Sequence, residues 1–520
     1  MTEPEPTAHW WASGVIYQAY PRSFRDSDGD GVGDLPGIID RLEHLVWLGV
    51  DAVWISPIFR SPMADFGYDV ADYRDVDPLF GTLADLDRLV AEAHRLGLRV
   101  LLDFVPNHTS DQHPWFLESR SSRTNPRRDW YLWADPAPDG GPPNGWTSMF
   151  GGPAWTFDPP TGQWYYHGFL PQQPDLDWRN PAVAAAMLDV LRFWFERGID
   201  GFRIDVLWLL LKDPAMREDP ADPWRYRADL PGVQGLVRRM RSVADAYPER
   251  VLIGEIYLPI ERLVRYYGDD GRGIHLPFNF QLITLPWDAP AIGAAVVAYE
   301  AALPPGAWPN WVLGNHDQSR VASRVGPAQA RVAAMLLLTL RGTPTIYYGD
   351  EIGMADVDVP PGRRADPAGI HGPSRDPERA PIRWSAGPRG GFTTGIPWLP
   401  LPPDAPSGSV DAQRSDPASM LALHRALLAL RRTESALSVG AFELLEARSD
   451  GLLCFRRHVE GRSFVIALNL SSSPIEVAHP SVAGARVVLG THPDRPTHAV
   501  IDGAVRLGPA EGVILAVTEP

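Results

Sequence analysis

One recurring unit constrains the fold of this 520-residue chain more than any other feature. A short apolar run stops abruptly at polar or charged residues, and a helix-like stretch follows. Ala52–Ile55 ends in Ser56-Pro57, Arg99–Leu102 in Asp103, Gly201–Ile204 in Asp205, and Val251–Ile253 in Gly254-Glu255. Trp311–Leu313 leads to Asn315-His316-Asp317, and Thr345–Tyr348 to Gly349-Asp350-Glu351. With Val15–Tyr17 and a weaker run at Leu276–Phe278, the candidates number eight. Amphipathic stretches such as Leu83–Leu96 and Pro181–Arg197 lie between them, the second after Asn180-Pro181, a proline-led helix start. Alternating strand and helix implies a parallel sheet with right-handed crossovers, and eight such units close a (β/α)8 barrel. Such barrels carry their sites at the C-terminal strand ends, where the charged residues fall here.

Spacing locates the additions. The third strand ends at Asp103 and the fourth reaches Asp205 about a hundred residues later, across a Trp-, Pro- and Gly-rich text. That reads as a loop-rich insertion over the barrel mouth. A second Pro/Gly/Arg-rich span, Asp356–Pro406, follows the eighth strand and reads as another rim. After a helix near Ala418–Arg432, alternating runs with turns (GLLCFRRHV, RSFVIALNL, ARVVLG, VRLG, VILAV) predict a C-terminal antiparallel β-sandwich. The expected organisation is α/β: a TIM barrel over 1–103 and 176–435, an inserted domain over 104–175, and an all-β domain over 436–520.

Composition narrows the partners. With 44% hydrophobic residues the chain has material for a large core, which excludes global disorder. A net charge of −16 argues against a nucleic-acid partner. Of the 48 basic residues one, Lys212, is lysine. The lone cysteine, Cys454, cannot form an intramolecular disulfide and alternates with apolar neighbours as a core residue does. The start MTEPEPTAHWW lacks the basic and apolar regions of a secretory signal, and no apolar run reaches the ~18 residues of a membrane span. The expectation is a cytoplasmic protein with no membrane or nucleic-acid partner, monomeric or homodimeric.

Three carboxylates, Asp205, Glu255 and Asp317, stand at three strand ends that a barrel brings around one mouth. Glycosidic cleavage needs two carboxylates flanking the scissile bond, one at the anomeric carbon and one to protonate the leaving oxygen. Arg203, two residues before Asp205 on the same strand face, keeps that carboxylate ionised. His316 precedes Asp317, and Asn107 and His108 follow Asp103. Separately, Asp26–Asp34 reads DSDGDGVGD. Asp26, Asp28, Asp30, the Val32 carbonyl and Asp34 reproduce the first nine positions of a calcium loop, with Gly31 at the sharp turn. Gly37 stands where an EF-hand has its bidentate Glu, so the loop is not an EF-hand.

Six ordered motifs, DFVPNH (103–108), QPDLDW (173–178), GFRID (201–205), GEI (254–256), NHD (315–317) and TPTIYYGDEIGM (343–354), resemble the α-amylase family of retaining glycoside hydrolases, within it the α-glucosidase and oligo-1,6-glucosidase group. The resemblance runs from about Trp10 into the C-terminal domain. It implies Asp205 as nucleophile, Glu255 as acid and then base, and Asp317 as the holder of the sugar 2- and 3-hydroxyls. It implies sugar contacts from His108, Arg203 and His316, and stacking by Tyr68. It also implies closure of the pocket by an Asp65–Arg379 pair, with Phe150, Phe169 and Gln173 lining it. Where the family usually reads RTPMQW, this chain has RAPIRW. Val206 after the nucleophile tends to accompany α-1,6 cleavage in this group, although similar members cleave α-1,4 bonds, so the linkage stays open. Asp177 and Tyr257 also depart from common residues. The resemblance implies one structural Ca²⁺ or Mg²⁺ in the 26–34 loop, and no organic cofactor is expected.

Three readings follow. The first is an exo-acting α-glucosidase on short maltose- or isomaltose-type oligosaccharides. The second is a glucosyltransferase or disaccharide isomerase, because a sugar hydroxyl can capture the same ester. The third is a non-catalytic transporter subunit, which needs a membrane span and usually lacks the carboxylates present here.

Overall fold

A computed structural model describes residues 9–219, 224–403 and 408–517. The acidic start before His9, the end of the second Pro/Gly/Arg-rich span (404–406) and the last three residues lie outside these. Eight parallel strands form the central sheet: β1 (Ile16–Ala19), β2 (Ala52–Ile55), β3 (Arg99–Phe104), β4 (Gly201–Ile204), β5 (Val251–Gly254), β6 (Leu276–Pro277), β7 (Asn310–Val312) and β8 (Thr343–Tyr347). Their order is β6-β5-β4-β3-β2-β1-β8-β7, and a parallel bridge from Asn279 to Trp311 joins the two ends into a barrel.

The strands read as unbroken apolar runs because both faces are buried. Inward positions Ile16, Ala52, Trp54, Leu101, Val251, Ile253 and Val312 fill the barrel interior. The alternate residues Tyr17, Val53, Ile55, Val100, Leu102 and Leu252 face the surrounding helices. Those helices include α1 (Leu83–Arg95), α2 (Pro181–Glu196), α3 (Val233–Ala244), α4 (Ala289–Ala302), α5 (Pro327–Thr339) and α6 (Met420–Thr433). Thr82 and Asp85 form a capping box at the start of α1, and Asn180 caps α2 before Pro181. Gly201 must be glycine, because a Cβ there would sit 2.4 Å from the Val251 carbonyl oxygen.

Between β3 and β4 the chain leaves the barrel. Trp133–Ala134, Trp155–Asp158 and Gln163–Tyr166 pair as a small antiparallel sheet over a cluster of Trp146, Trp155 and Tyr166. The C-terminal region holds β9 (Ala441–Ala447), β10 (Leu452–Val459), β11 (Arg462–Asn469), β12 (Ile475–Val477), β13 (Arg486–Gly490), β14 (Val505–Leu507) and β15 (Gly512–Val517). A five-stranded antiparallel sheet and the β12–β14 pair enclose a separate core that contains Cys454. Among the described residues no helix is long and apolar enough to cross a membrane.

Two buried arginines tie this domain to the barrel. Arg431 at the end of α6 donates to the carbonyls of Leu338, Leu340, Gly342 and Leu437. Arg457 on β10 donates to those of Thr339 and Gly440. Their shared target is the C-terminal end of α5, whose last carbonyls lack helical partners.

Candidate active site

The period of two that fills the barrel interior also builds the site. On β3 the inward series continues from Leu101 to Asp103. On β4 it runs Gly201, Arg203, Asp205, and on β5 it runs Val251, Ile253, Glu255. Asp103 and Arg203 are register partners on neighbouring strands. The last inward residues are therefore charged and meet just above an apolar floor.

Arg203 is the hub. Its Nη1 lies 2.8 Å from Asp103 Oδ1 and 2.7 Å from Asp205 Oδ1, and its Nη2 lies 2.7 Å from Glu255 Oε2. Glu255 Oε2 also accepts the Val206 N–H at 2.9 Å. Val206 reaches it in a left-handed conformation, φ 36° and ψ 44°, which is strained for a β-branched residue by about 1–3 kcal/mol. Among the described residues no donor reaches Asp205 Oδ2 or Glu255 Oε1, so each carboxylate keeps one oxygen available. Burial raises the Asp205 carboxyl well above its ordinary value against the pull of Arg203, with Glu255 and Asp103 adding to the rise. Burial likewise raises Asp103 to about 6 despite Arg203. The expectation that Arg203 keeps Asp205 ionised is corrected: its pull is present, but burial and the neighbouring acids outweigh it, so Asp205 and Asp103 hold protons more tightly than solvent-exposed acids do.

Asp317 has the opposite environment. Its Oδ1 accepts from Arg375 Nη1 at 3.0 Å and Arg379 Nη2 at 2.8 Å, and its Oδ2 lies 3.2 Å from His316 Nε2. Burial alone would raise this carboxyl, but the Arg375 and Arg379 guanidiniums, with Arg203 behind them, hold it well below the usual range. Burial, reinforced by Arg379 and Arg203, keeps His316 neutral. The Gln18 amide lies 2.8 Å from its Nδ1, and Tyr68 Oη 2.6 Å from its Nε2. Tyr68 in turn donates to Asp103 at 3.2 Å and stacks flat on His316, with centroids 5.4 Å apart.

These groups bound a cavity of about 700 Å³. Of the expected residues, Asp65, Tyr68, His108, Phe150, Phe169, Gln173, Asp205, Val206, Glu255 and Asp317 line it. Arg203, His316 and Arg379 do not line it and act on the lining groups from behind. The expected Asp65–Arg379 closure is corrected. Asp65 pairs with Arg375 at 2.7 Å, while Arg379, fully buried, binds Asp317 and the His316 carbonyl. The reason is depth: Arg379 ends a 3-10 turn beneath Asp317, whereas Arg375 lies on the loop at the mouth. Arg375 also binds Asp366, and its guanidinium lies 4.9 Å from the Phe150 ring centroid. Sequence reasoning missed this residue, since the span around it has no periodicity to mark it.

Lys212, the single lysine, is buried and bonded to Asp175 and, at 2.6 Å, to Asn107 Oδ1. Asn107 lies 3.0 Å from His108 Nδ1, so the inserted segment is braced on the strand end that carries His108. In the 26–34 loop, ligand oxygens of Asp26, Asp28 and Asp34 lie within 4.8 Å of one another. Asp30 is not in that group, and its Oδ1 accepts the Val32 N–H at 2.7 Å. Gly31 packs so closely that a Cβ would meet the Ile396 carbonyl at 1.9 Å. Three convergent carboxylates on a cramped loop fit a hard, oxygen-seeking cation.

A model of the α-amylase catalytic domain matches residues 18–440, and one described as a domain of unknown function matches 441–514. A probable α-glucosidase of Rhizobium meliloti is 43% identical over 494 residues, covering 89% of this chain and 90% of that protein. An oligo-1,6-glucosidase of Heyndrickxia coagulans is 36% identical over 538 residues, covering 94% and 97%. The crystal structure of the α-glucosyl transfer enzyme XgtA superposes with a TM-score of 0.92 at 40% identity, covering 98% of this chain and all of that one. With its barrel, its C-terminal antiparallel domain and this site at the strand ends, the chain belongs to the α-amylase family.

Proposed function

We propose that the chain is an exo-acting, retaining α-glucosidase that releases glucose from the non-reducing end of short α-glucosides. The observation that carries this is one guanidinium, Arg203, holding Asp205 and Glu255 on its two terminal nitrogens in a cavity closed at one side by Asp65–Arg375. With the proton of the pair on Glu255 and Asp205 anionic, Asp205 Oδ2 attacks the anomeric carbon as Glu255 gives that proton to the departing oxygen. The glycosidic C–O bond breaks and a β-glucosyl ester forms on Asp205. Glu255 then takes a proton from water, whose oxygen attacks the same carbon and releases Asp205. Asp317, anionic and fixed by two arginines, accepts the hydroxyls of the flattening ring. The Asp65–Arg375 pair with Gln173 excludes sugar beyond the first unit and so favours short substrates.

A second reading, α-glucosyl transfer, is favoured by the likeness to XgtA and by the Val206, Trp208 and Tyr257 wall beside Glu255. In that case an acceptor hydroxyl replaces water in the second step. Asp26, Asp28 and Asp34 would hold one Ca²⁺ or Mg²⁺, which supplies charge neutralisation that pins their loop against Thr393–Ile396. Cytoplasmic location accords with the single, buried thiol of Cys454. The test is glucose release from equal concentrations of maltose, isomaltose, trehalose and sucrose, with products resolved by chromatography. Free glucose from maltose or isomaltose supports hydrolysis and settles the linkage that Val206 leaves open. New disaccharides with little glucose support transfer, and no product from any of the four overturns both readings.

A further inference from the structure

A second cavity lies on the other side of one residue of the wall beside Glu255. That residue, Tyr257, two positions after the acid, lines both the catalytic cavity and this second one of about 450 Å³. Its ring lies flat on Phe280, with centroids 4.1 Å apart and planes 4° from parallel. The second cavity is bounded by Phe280, Leu258, Pro259, Leu285 and Ala295 of α4, with Gln281 and Thr284 as its polar side chains besides Tyr257, and no charged side chain lines it. Thr284 at its edge is exposed, so the cavity is a groove open to the surface. The catalytic steps use none of it.

The chemistry of the shared wall indicates what the groove takes. Beside Glu255 stand Val206, Trp208 and Tyr257, and both the Trp208 indole nitrogen and the Tyr257 hydroxyl are withdrawn from solvent. What these residues present is ring and aliphatic surface, and Tyr257 is the residue that this wall shares with the groove. A chain of methylenes buries favourably on such a surface, whereas sugar hydroxyls find few partners there.

We propose that the groove is an accessory site for the apolar part of the leaving group. With glucose in the catalytic cavity, an alkyl chain on its anomeric oxygen runs over Tyr257 onto Phe280, Leu285 and Ala295. This rests on the α-glucosidase reading, and its test is chosen to be separable from that reading. Asp205→Asn, which cannot form the ester, is titrated calorimetrically with n-alkyl α-glucosides from methyl to octyl below their micelle concentrations. Affinity is expected to rise with chain length, by at most about fourfold per fully buried methylene, and to reach at least ~10-fold between butyl and octyl. Ala295→Trp and, independently, Thr284→Trp in the same background fill the groove. Each is expected to return octyl binding to the butyl level and leave methyl binding within about twofold. An affinity independent of chain length, or a gain that survives both tryptophans, overturns the proposal. Failure of the wild-type protein to cleave maltose or isomaltose would count against the enzyme reading alone, because the groove is read by binding.

Discussion

Arg203 in the barrel mouth and Arg431 and Arg457 at the domain junction are all essentially inaccessible to solvent, yet their charges are met in opposite ways. Arg203 sits among three carboxylates, which raise its own pKa well above the ordinary value despite burial. Around Arg431 and Arg457 no carboxylate of the described residues comes within ion-pair distance; carbonyl dipoles from the end of α5 and nearby turns surround them. Burial depresses both, Arg431 to about 10 and Arg457 well below its ordinary value. The difference is in what each environment can do when disturbed. Carboxylates answer the loss of a cation by taking up protons, whereas carbonyls have no such response. Disturbing the mouth therefore shifts protons, whereas disturbing the junction loosens the contact between two domains.

The largest expected effect breaks the mouth. Arg203→Met should lower kcat/KM on the expected α-glucoside by about 10³-fold or more, because Asp205 and Glu255, the proposed nucleophile and acid, lose their common anchor. The carboxylates left behind bind protons more tightly in the folded than in the unfolded state. Stability of this variant should accordingly fall as pH rises from about 4 through 7, which thermal melts at several pH values would read. A melt that is flat against pH would contradict the proton-holding role.

Arg431→Met is the counterpart. It strands four carbonyls and should cost about 3 kcal/mol of stability, with a change that does not depend on pH over that window and with activity per folded molecule within about twofold. Chemical denaturation beside steady-state kinetics would decide it, and a large loss of kcat in the folded variant would erase the distinction between the two regions.

Arg375 sharpens the comparison because it bridges Asp65, Asp317 and Asp366 without touching Asp205. Arg375→Gln should reduce kcat/KM by ~10- to 100-fold, mostly through KM, since Arg379 still holds Asp317. A loss confined to kcat would place Arg375 in the chemistry instead.

Glu351, buried beside Tyr17 away from the mouth, gives the smallest effect. Burial raises it to about 7 from an ordinary 4.5. Between those values the native state keeps a proton that the unfolded chain has released, so stability declines as pH rises through the window. Glu351→Gln should remove on the order of 2 kcal/mol of that decline, seen as a smaller difference in Tm between pH 5 and pH 8.

The barrel was legible because its strands are buried on both faces and read as apolar runs ending in charge. Two of the three candidate carboxylates were legible for the same reason, since Asp205 and Glu255 continue inward series that the strands begin. Three things were not. Ala441–Ala447 reads as AFELLEA, a helix-favouring text that pairing with β10 overrides, so β9 went unseen. Arg375 lies in a span without periodicity, where only the folded loop decides which arginine meets Asp65. Arg431 sits in an Arg-Arg pair at a helix end, which looks like ordinary dipole compensation and conceals that only the first of the two is buried.

The central claim is that Asp205 and Glu255, held by one guanidinium, act by double displacement. Proton NMR of the anomeric signals during the first minutes of cleavage of the preferred α-glucoside tests it most directly. The account predicts that α-glucose appears first and only later mutarotates towards the β form. If β-glucose appears first, water attacks the sugar directly, and Asp205 is not the nucleophile.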